Sequence, residues 1–214
     1  MKALAEAKLY IEGEIRRAED GKTYDNISPW NARVAGVAAD ASAADVDAAI
    51  SGARRAFDET DWPQNHAVRY ELISRYMRLL WDNRYQLMDI ARVEAGAAYG
   101  AAFRAHVDFA LNGGDDLVKA FSNIAWEEDR GYREENGVTS QRIVAKESLG
   151  VVAAITPWNV PLYVNIGKTI AALLAGCTVV LKPAPDTPLM GSFMGELAAQ
   201  ADFPAGVFNV ITSA

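Results

Sequence analysis

Two stretches decide the fold: Leu149-Gly150-Val151-Val152-Ala153-Ala154-Ile155-Thr156-Pro157-Trp158-Asn159-Val160-Pro161-Leu162 and Ala175-Gly176-Cys177-Thr178-Val179-Val180-Leu181-Lys182-Pro183. Each holds an uncharged apolar run of strand length, Val151–Thr156 and Thr178–Leu181, closed by a proline-locked turn. Residues 161–175 between them read as a helix ending at Gly176. Residues 187–201 read as a second helix, with Pro188 at its first position, where a missing N–H costs nothing. Residues 207–211 read as a third strand. Strands without charges, alternating with helices, predict a parallel sheet covered by helices on both faces. Ligands of such sheets bind outside the carboxyl ends of the strands. Here those ends carry Thr156-Pro157-Trp158-Asn159 and Lys182-Pro183-Ala184-Pro185.

The rest of the chain differs in character. Only Lys168, Lys182, Asp186, Glu196 and Asp202 are charged after residue 148, so the last third is expected inside and the first two thirds largely as surface helix. With 214 residues, half of them apolar, the chain can bury a substantial core. A net charge of −7 with no basic run lacks the footprint of a nucleic-acid binder. The single cysteine excludes an internal disulfide and a multi-cysteine metal site, and no metal is expected. Charges interrupt every apolar step of Met1–Lys8, so no signal-peptide core is present there. The uncharged run from Ser148 to Gly167 is broken by Pro157 and Pro161, which argues against a membrane span. A cytoplasmic location is the expectation, and the Asn26-Ile27-Ser28 sequon then reads as chance.

Outward toward the N-terminus, residues 9–15 and 20–24 read as two short strands around an Asp20-Gly21 turn. Ser42 has the chemistry of an N-cap, with Asp45 three residues on, opening a helix to about Phe57. Apolar pairs from Val68 to Val93 recur with a period near 3.6 and predict one long helix. A third helix is expected over residues 99–126, bent near Asn112-Gly113-Gly114. Residues 129–148 are polar, with Asn136-Gly137 as a hairpin turn before the strand 138–144. Such a hairpin projects outward, where it can pair with another subunit.

Several signatures fail. Gly167-Lys168-Thr169 resembles the end of a phosphate loop, but the first glycine it needs would fall at Leu162. Gly191-Ser192-Phe193-Met194-Gly195 places its serine one position early for a nucleophile elbow, and inside a helix. No Gly-x-Gly-x-x-Gly occurs. His66 and His106 stand far apart without clustered carboxylates and read as packing residues. Cys177 opens a strand at its amino end, away from the edge where chemistry is expected, and reads as a small buried hydrophobe. Asn159 and Lys182 survive. An amide fixed at the carboxyl edge can donate to a developing oxyanion, and an ammonium can bind ribose hydroxyls or phosphate. The same residues also suit a turn-stabilising Asn and a solvated Lys, and spacing alone does not separate the two readings.

Both stretches resemble the aldehyde dehydrogenase superfamily: the strand with its Pro157-Trp158-Asn159 turn, then the next strand with Lys182-Pro183. Thr187-Pro188 and Phe203-Pro204-Ala205-Gly206-Val207-Phe208-Asn209-Val210 continue the likeness in order. A weaker match runs back to Ile11-Glu12-Gly13-Glu14 and Gly21-Lys22-Thr23. The resemblance implies an α/β chain with N-terminal helices and an incomplete Rossmann-like sheet. Residues 1–128 and 149–214 would belong to the cofactor-binding domain, and 129–148 to a projecting oligomerisation hairpin that makes a homo-oligomer. It further implies NAD or NADP as cofactor and an aldehyde as substrate, oxidised to a carboxylic acid. Asn159 would donate to the oxyanion of a thiohemiacetal. The cofactor would pass the backbone at Ile155, Thr156 and Trp158, with Lys182 holding the adenosine ribose beside Ala184 and position 185. The family carries a glutamate at that last position, and this chain has Pro185, which leaves NAD and NADP both open. Lys168 matches a family lysine, with packing or a water-linked proton path as its role.

Family members run to more than twice this length, with the nucleophilic cysteine and general-base glutamate beyond position 214. The expectation is therefore an N-terminal portion without a catalytic domain, inactive alone. Two alternatives stand beside it: a truncated non-catalytic paralogue serving as a nucleotide-binding or interaction module, and a fragment left unstable by an unpartnered last strand.

Overall fold

The computed structural model describes residues 6–214, so five residues of the opening segment read for a leader lie outside the described residues. The first elements are four short strands: β1 (Leu9–Ile11), β2 (Glu14–Arg16), β3 (Thr23–Ile27) and β4 (Val34–Ala39). The expected pairing around Asp20-Gly21 is not what forms. β1 turns back on β2 through Glu12 and Gly13, both with positive φ (52° and 85°), and β3 pairs instead with β4. Two consecutive positive-φ residues suit the twist of a two-residue hairpin. Glutamate there carries no turn signal, so the sequence hid the turn.

Helix α1 (Ala43–Glu59) opens on the expected cap. Ser42 Oγ accepts from Asp45 N at 3.2 Å, while Asp45 Oδ2 accepts from Ser42 N at 3.0 Å. The predicted helix over residues 68–93 is two helices, α2 (His66–Asp82) and α3 (Arg84–Glu94). Asn83 divides them, with ψ 15° and its amide donating back to Leu79 O at 2.8 Å. A short side chain that bonds the preceding turn competes with helix continuation, and the apolar periodicity passes through the break unchanged.

The third helix also departs from expectation. It begins with a single turn, α4 (Tyr99–Ala101), runs as a π-helix over Ala102–Asp108, and continues as α5 (Phe109–Phe121), ending five residues earlier than read. Its irregularity lies in the π segment, where Phe109 N–H reaches back to Arg104 O, and not at Gly113-Gly114. Gly114 serves packing: a Cβ there would stand 2.5 Å from Met77 Cε and 3.1 Å from Ile166 Cγ2. The flexible end of Met77 and a methyl of Ile166 occupy the space that a side chain there would take.

The polar hairpin consists of β5 (Glu127–Glu135) and β6 (Val138–Ala145), joined by Asn136 and Gly137 at positive φ. It pairs with no other strand among the described residues, and β6 is exposed along its whole length.

The last third folds as β7 (Val151–Ile155), α6 (Pro161–Leu174), β8 (Thr178–Lys182), α7 (Pro188–Gln200) and β9 (Phe208–Val210). The five-stranded sheet has the order β2-β1-β9-β8-β7, with β7, β8 and β9 parallel and β1 antiparallel to β9. Both faces are covered. Val179 and Leu181 point into a core shared with α2, α3, α6 and α7, while Val180 points into a second core with Ala49 and Ala53 of α1. The larger core closes around Tyr10, Tyr76, Phe203 and Phe208, with the Tyr76 and Phe203 rings 5.4 Å apart edge to face.

Two expectations are corrected here. The last strand is not unpartnered: β9 lies inside the sheet between β8 and β1. The strand over residues 151–156, part of the last third that is expected inside, is the edge strand, with Ile155 69% exposed. Uncharged sequence marks absence of charge on both faces of a strand, and says nothing of whether its backbone edge is filled.

Candidate functional site

The carboxyl ends of β7 and β8 lie side by side, with Ile155 and Lys182 as register partners. Thr156 N–H donates to Lys182 O at 3.2 Å, which extends the ladder one step past the strands and fixes the two turns relative to each other. Beyond β7 the chain turns through Pro157, Trp158 and Asn159 before Pro161 opens α6 at its first position. Trp158 (59%) and Ile155 are exposed. Asn159 is exposed as well, and its amide has no hydrogen-bond partner among the described residues. Thr156 is buried, and its hydroxyl likewise has no partner.

Beyond β8, the half-buried Lys182 has no carboxylate paired with it among the described residues. Pro183 is buried against α7, where a Cβ on Gly191 would stand 2.7 Å from its Cγ. Ala184 is half-buried, its carbonyl accepting from Thr187 N at 3.0 Å, and Pro185 is exposed. The expected site residues Ile155, Thr156, Trp158, Asn159, Lys182, Ala184 and Pro185 are thus gathered along one open edge of the sheet.

Two residues that sequence reading passed over anchor this edge. Glu94, at the end of α3, is buried and accepts from Leu189 N and from Met190 N (3.0 Å), the first free amides of α7. A carboxylate at a helix N-terminus meets both unpaired donors and the positive end of the dipole. Burial nevertheless pushes its carboxyl well above the ordinary range, against the downward pull of the two amide bonds. Asn26 of β3 is also buried, and its amide donates to Asp186 O at 2.8 Å. Together they pin residues 186–190, and with them the turn after Lys182. Glu94 sits in a helix whose polar residues otherwise face water, and nothing in its spacing singles it out.

The remaining sequence candidates lie elsewhere. Cys177 is 3% exposed, at the amino end of β8, and its carbonyl accepts from Trp62 Nε1 at 3.0 Å. His66 packs on Trp126 with ring centroids 4.3 Å apart and the rings tilted 43° to each other, and His106 lies in the π segment. Lys168 is exposed on α6. Among the described residues no three His, Cys, Asp or Glu side chains converge as a metal site, and no helix is long and apolar enough to cross a membrane.

An open parallel edge with an unpaired ammonium, a free amide and a buried unpartnered hydroxyl suits a dinucleotide. Such ligands take backbone and hydroxyl hydrogen bonds along the strand ends and a cation at ribose or phosphate. These residues fit NAD and NADP alike, because no carboxylate stands at position 185 to favour one.

The architecture defines a Rossmann-like α/β chain. Residues 15–214 match the family model of the aldehyde dehydrogenase family, and the chain belongs to that family. Human mitochondrial 10-formyltetrahydrofolate dehydrogenase is 37% identical over 211 residues, which are 95% of this chain and 22% of that protein. Aldehyde dehydrogenase 1 of Tanacetum cinerariifolium is 33% identical, over 95% of this chain and 40% of its own length. The NAD+ complex of aldehyde dehydrogenase from Bacillus cereus superposes with a TM-score of 0.88 at 31% identity, covering 98% of this chain and 42% of that one. The chain therefore spans less than half the length of these relatives, and corresponds to the N-terminal portion of the aldehyde dehydrogenases among them.

Proposed function

We propose that these residues form the cofactor-holding part of an NAD(P)-dependent enzyme that oxidises an aldehyde to a carboxylic acid. The observation that carries the reading is the free Asn159 amide and the unpaired Lys182 ammonium on one open edge, in the family's own motif positions. When bound, NAD(P) supplies the hydride acceptor. Lys182 donates to ribose hydroxyls, Ile155, Thr156 and Trp158 line the path with backbone, and Ala184 and Pro185 flank the ribose. Asn159 donates its amide N–H to the oxygen that becomes anionic as the carbonyl is attacked. Donors aimed at a developing oxyanion contribute about 2.7–4 kcal/mol each in comparable sites.

In this reading residues 1–128 and 149–214 build one cofactor domain, and the 129–148 hairpin joins subunits of a homo-oligomer. The reaction takes place in the cytoplasm, without nucleic acid or membrane as partner. The 214 residues hold no nucleophile for it, since their one thiol, Cys177, is buried at the opposite edge of the sheet. The purified chain is expected to bind NAD or NADP without producing NADH or NADPH from a panel of aldehydes. Calorimetric titration tests the cofactor role directly: Lys182→Ala should weaken NAD(P) binding about tenfold, the loss of one hydrogen bond to a charged group. Unchanged affinity removes Lys182 from the site, and robust turnover by the chain overturns the statement about the nucleophile.

A further inference from the structure

Away from the sheet edge, Arg69 of α2 is 1% exposed and faces no carboxylate among the described residues. Its charge is met by carbonyl oxygens alone. Nε donates to Leu174 O at 3.1 Å, at the C-terminal end of α6, and Nη1 donates to Trp62 O and Pro63 O, both at 2.8 Å. The negative end of a helix dipole suits a cation. Nη2 has no hydrogen-bond partner among the described residues. This N–H pair opens to the adjoining cleft, where it can donate to water or to a ligand.

Arg69 lines a cleft of about 330 Å³ together with His66, Ala67, Phe121, Ile124 and Trp126. The Trp126 ring forms one wall, with Arg69 Cζ 5.5 Å from its centroid. Ser122 also borders the cleft, but its hydroxyl proton is committed to Lys119 O at 2.8 Å. His66 adds little positive charge, because burial and the nearby Arg69 charge hold its pKa below the ordinary value. The result is an apolar, aromatic-walled cleft with a single free cationic donor. Its volume lies within the roughly 300–1,000 Å³ of small-molecule sites.

We propose that this cleft binds a small planar monocarboxylate, its carboxylate on Arg69 Nη2 and its flat apolar body against Trp126, Phe121 and Ile124. Carbonyls take the Nε hydrogen and both Nη1 hydrogens, so the carboxylate accepts from Nη2 alone, through a charge-assisted contact to one nitrogen. A carboxylate's single charge matches the one free cationic donor, whereas a phosphate dianion would leave its second charge unmet. The site is separate from the Asn159–Lys182 edge, and its test reads no turnover, so it stands or falls independently of the proposed reaction.

Sodium benzoate is the probe, titrated into the full 214-residue chain while the Trp126 indole N–H is followed by NMR. That signal is identified by its loss in Trp126→Phe. Benzoate should shift it saturably, while benzamide, its neutral isostere, and acetate, which lacks the flat body, should each bind at least tenfold more weakly. Ala67→Leu, at an exposed position in the first turn of α2, should fill the cleft and weaken benzoate at least tenfold without moving the melting temperature. Benzamide binding as tightly as benzoate removes the role of charge and overturns the proposal. So does the absence of a saturable shift, or a benzoate affinity indifferent to Ala67→Leu.

Discussion

Replacing Glu94 with glutamine removes a titrating carboxyl from the N-terminus of α7 while keeping the shape of the side chain. Both carboxyl oxygens accept backbone amides there, from Leu189 and Met190, in a place closed to water. An amide offers one acceptor oxygen, so one of the two N–H groups loses its partner. A buried donor left unpaired costs about 1–3 kcal/mol. For a chain of this size that corresponds to a fall of about 2–12 °C in melting temperature. The pH dependence sharpens the expectation. Burial raises the Glu94 pKa above its ordinary 4.5, so the folded chain keeps a proton that the unfolded chain has already released. Its contribution is complete below pH 4.5 and is lost as pH rises through the folded midpoint. The loss is about 1.4 kcal/mol for each pH unit between the two midpoints. Glutamine does not titrate, so the deficit of Glu94→Gln should be greatest near pH 4.5 and narrow as pH rises. Urea melts of both proteins between pH 4.5 and 8 measure this. A deficit that widens with pH would mean that the α7 amides, and not burial, govern the carboxyl, and would refute the reasoning.

Two glycine substitutions should separate rigid from yielding neighbours. Gly191→Ala drives a Cβ to 2.7 Å from the Pro183 ring, which cannot move aside, and should cost about 1–3 kcal/mol by thermal melt. Gly114→Ala meets the flexible end of Met77 and should cost less; equal losses would contradict the distinction. Pro185→Glu places a carboxylate beside the proposed ribose position and should raise the preference for NAD over NADP about tenfold in calorimetric titration. An unchanged ratio moves the ribose away from position 185.

What the sequence disclosed depended on whether a signal was local. The Ser42–Asp45 capping box, the Asn136-Gly137 turn and the strand–helix alternation after residue 150 each rest on neighbours in the chain, and each is present where it was read. The break at Asn83 leaves hydrophobic periodicity intact, and the π segment at residues 102–108 has no residue signature, so both passed unseen. Strand order is a matter of distant partners, and no local pattern marks β9 as lying inside the sheet or β7 as its edge. The same holds around the candidate site. Asn159 and Lys182 announce themselves by their proline-locked turns, whereas Asn26 and Glu94, which anchor the neighbouring backbone from far away in sequence, read as ordinary polar residues of a strand and a helix.

The antiparallel insertion of β1 beside β9 ties the two ends of the described chain into one sheet. Tyr10 pairs with Val210, and Lys8 exchanges two hydrogen bonds with Ser192, 184 residues away. Contacts of such span close late, because the intervening chain must first surrender its freedom. During synthesis, β1 and β2 leave the ribosome roughly 200 residues before their partner β9 does, at about 5–20 residues per second. For that interval of some ten seconds or more, Leu9, Tyr10 and Ile11 have no sheet to enter. A strand made early in this stretch is placed late, and the nascent chain must keep it from other partners until then.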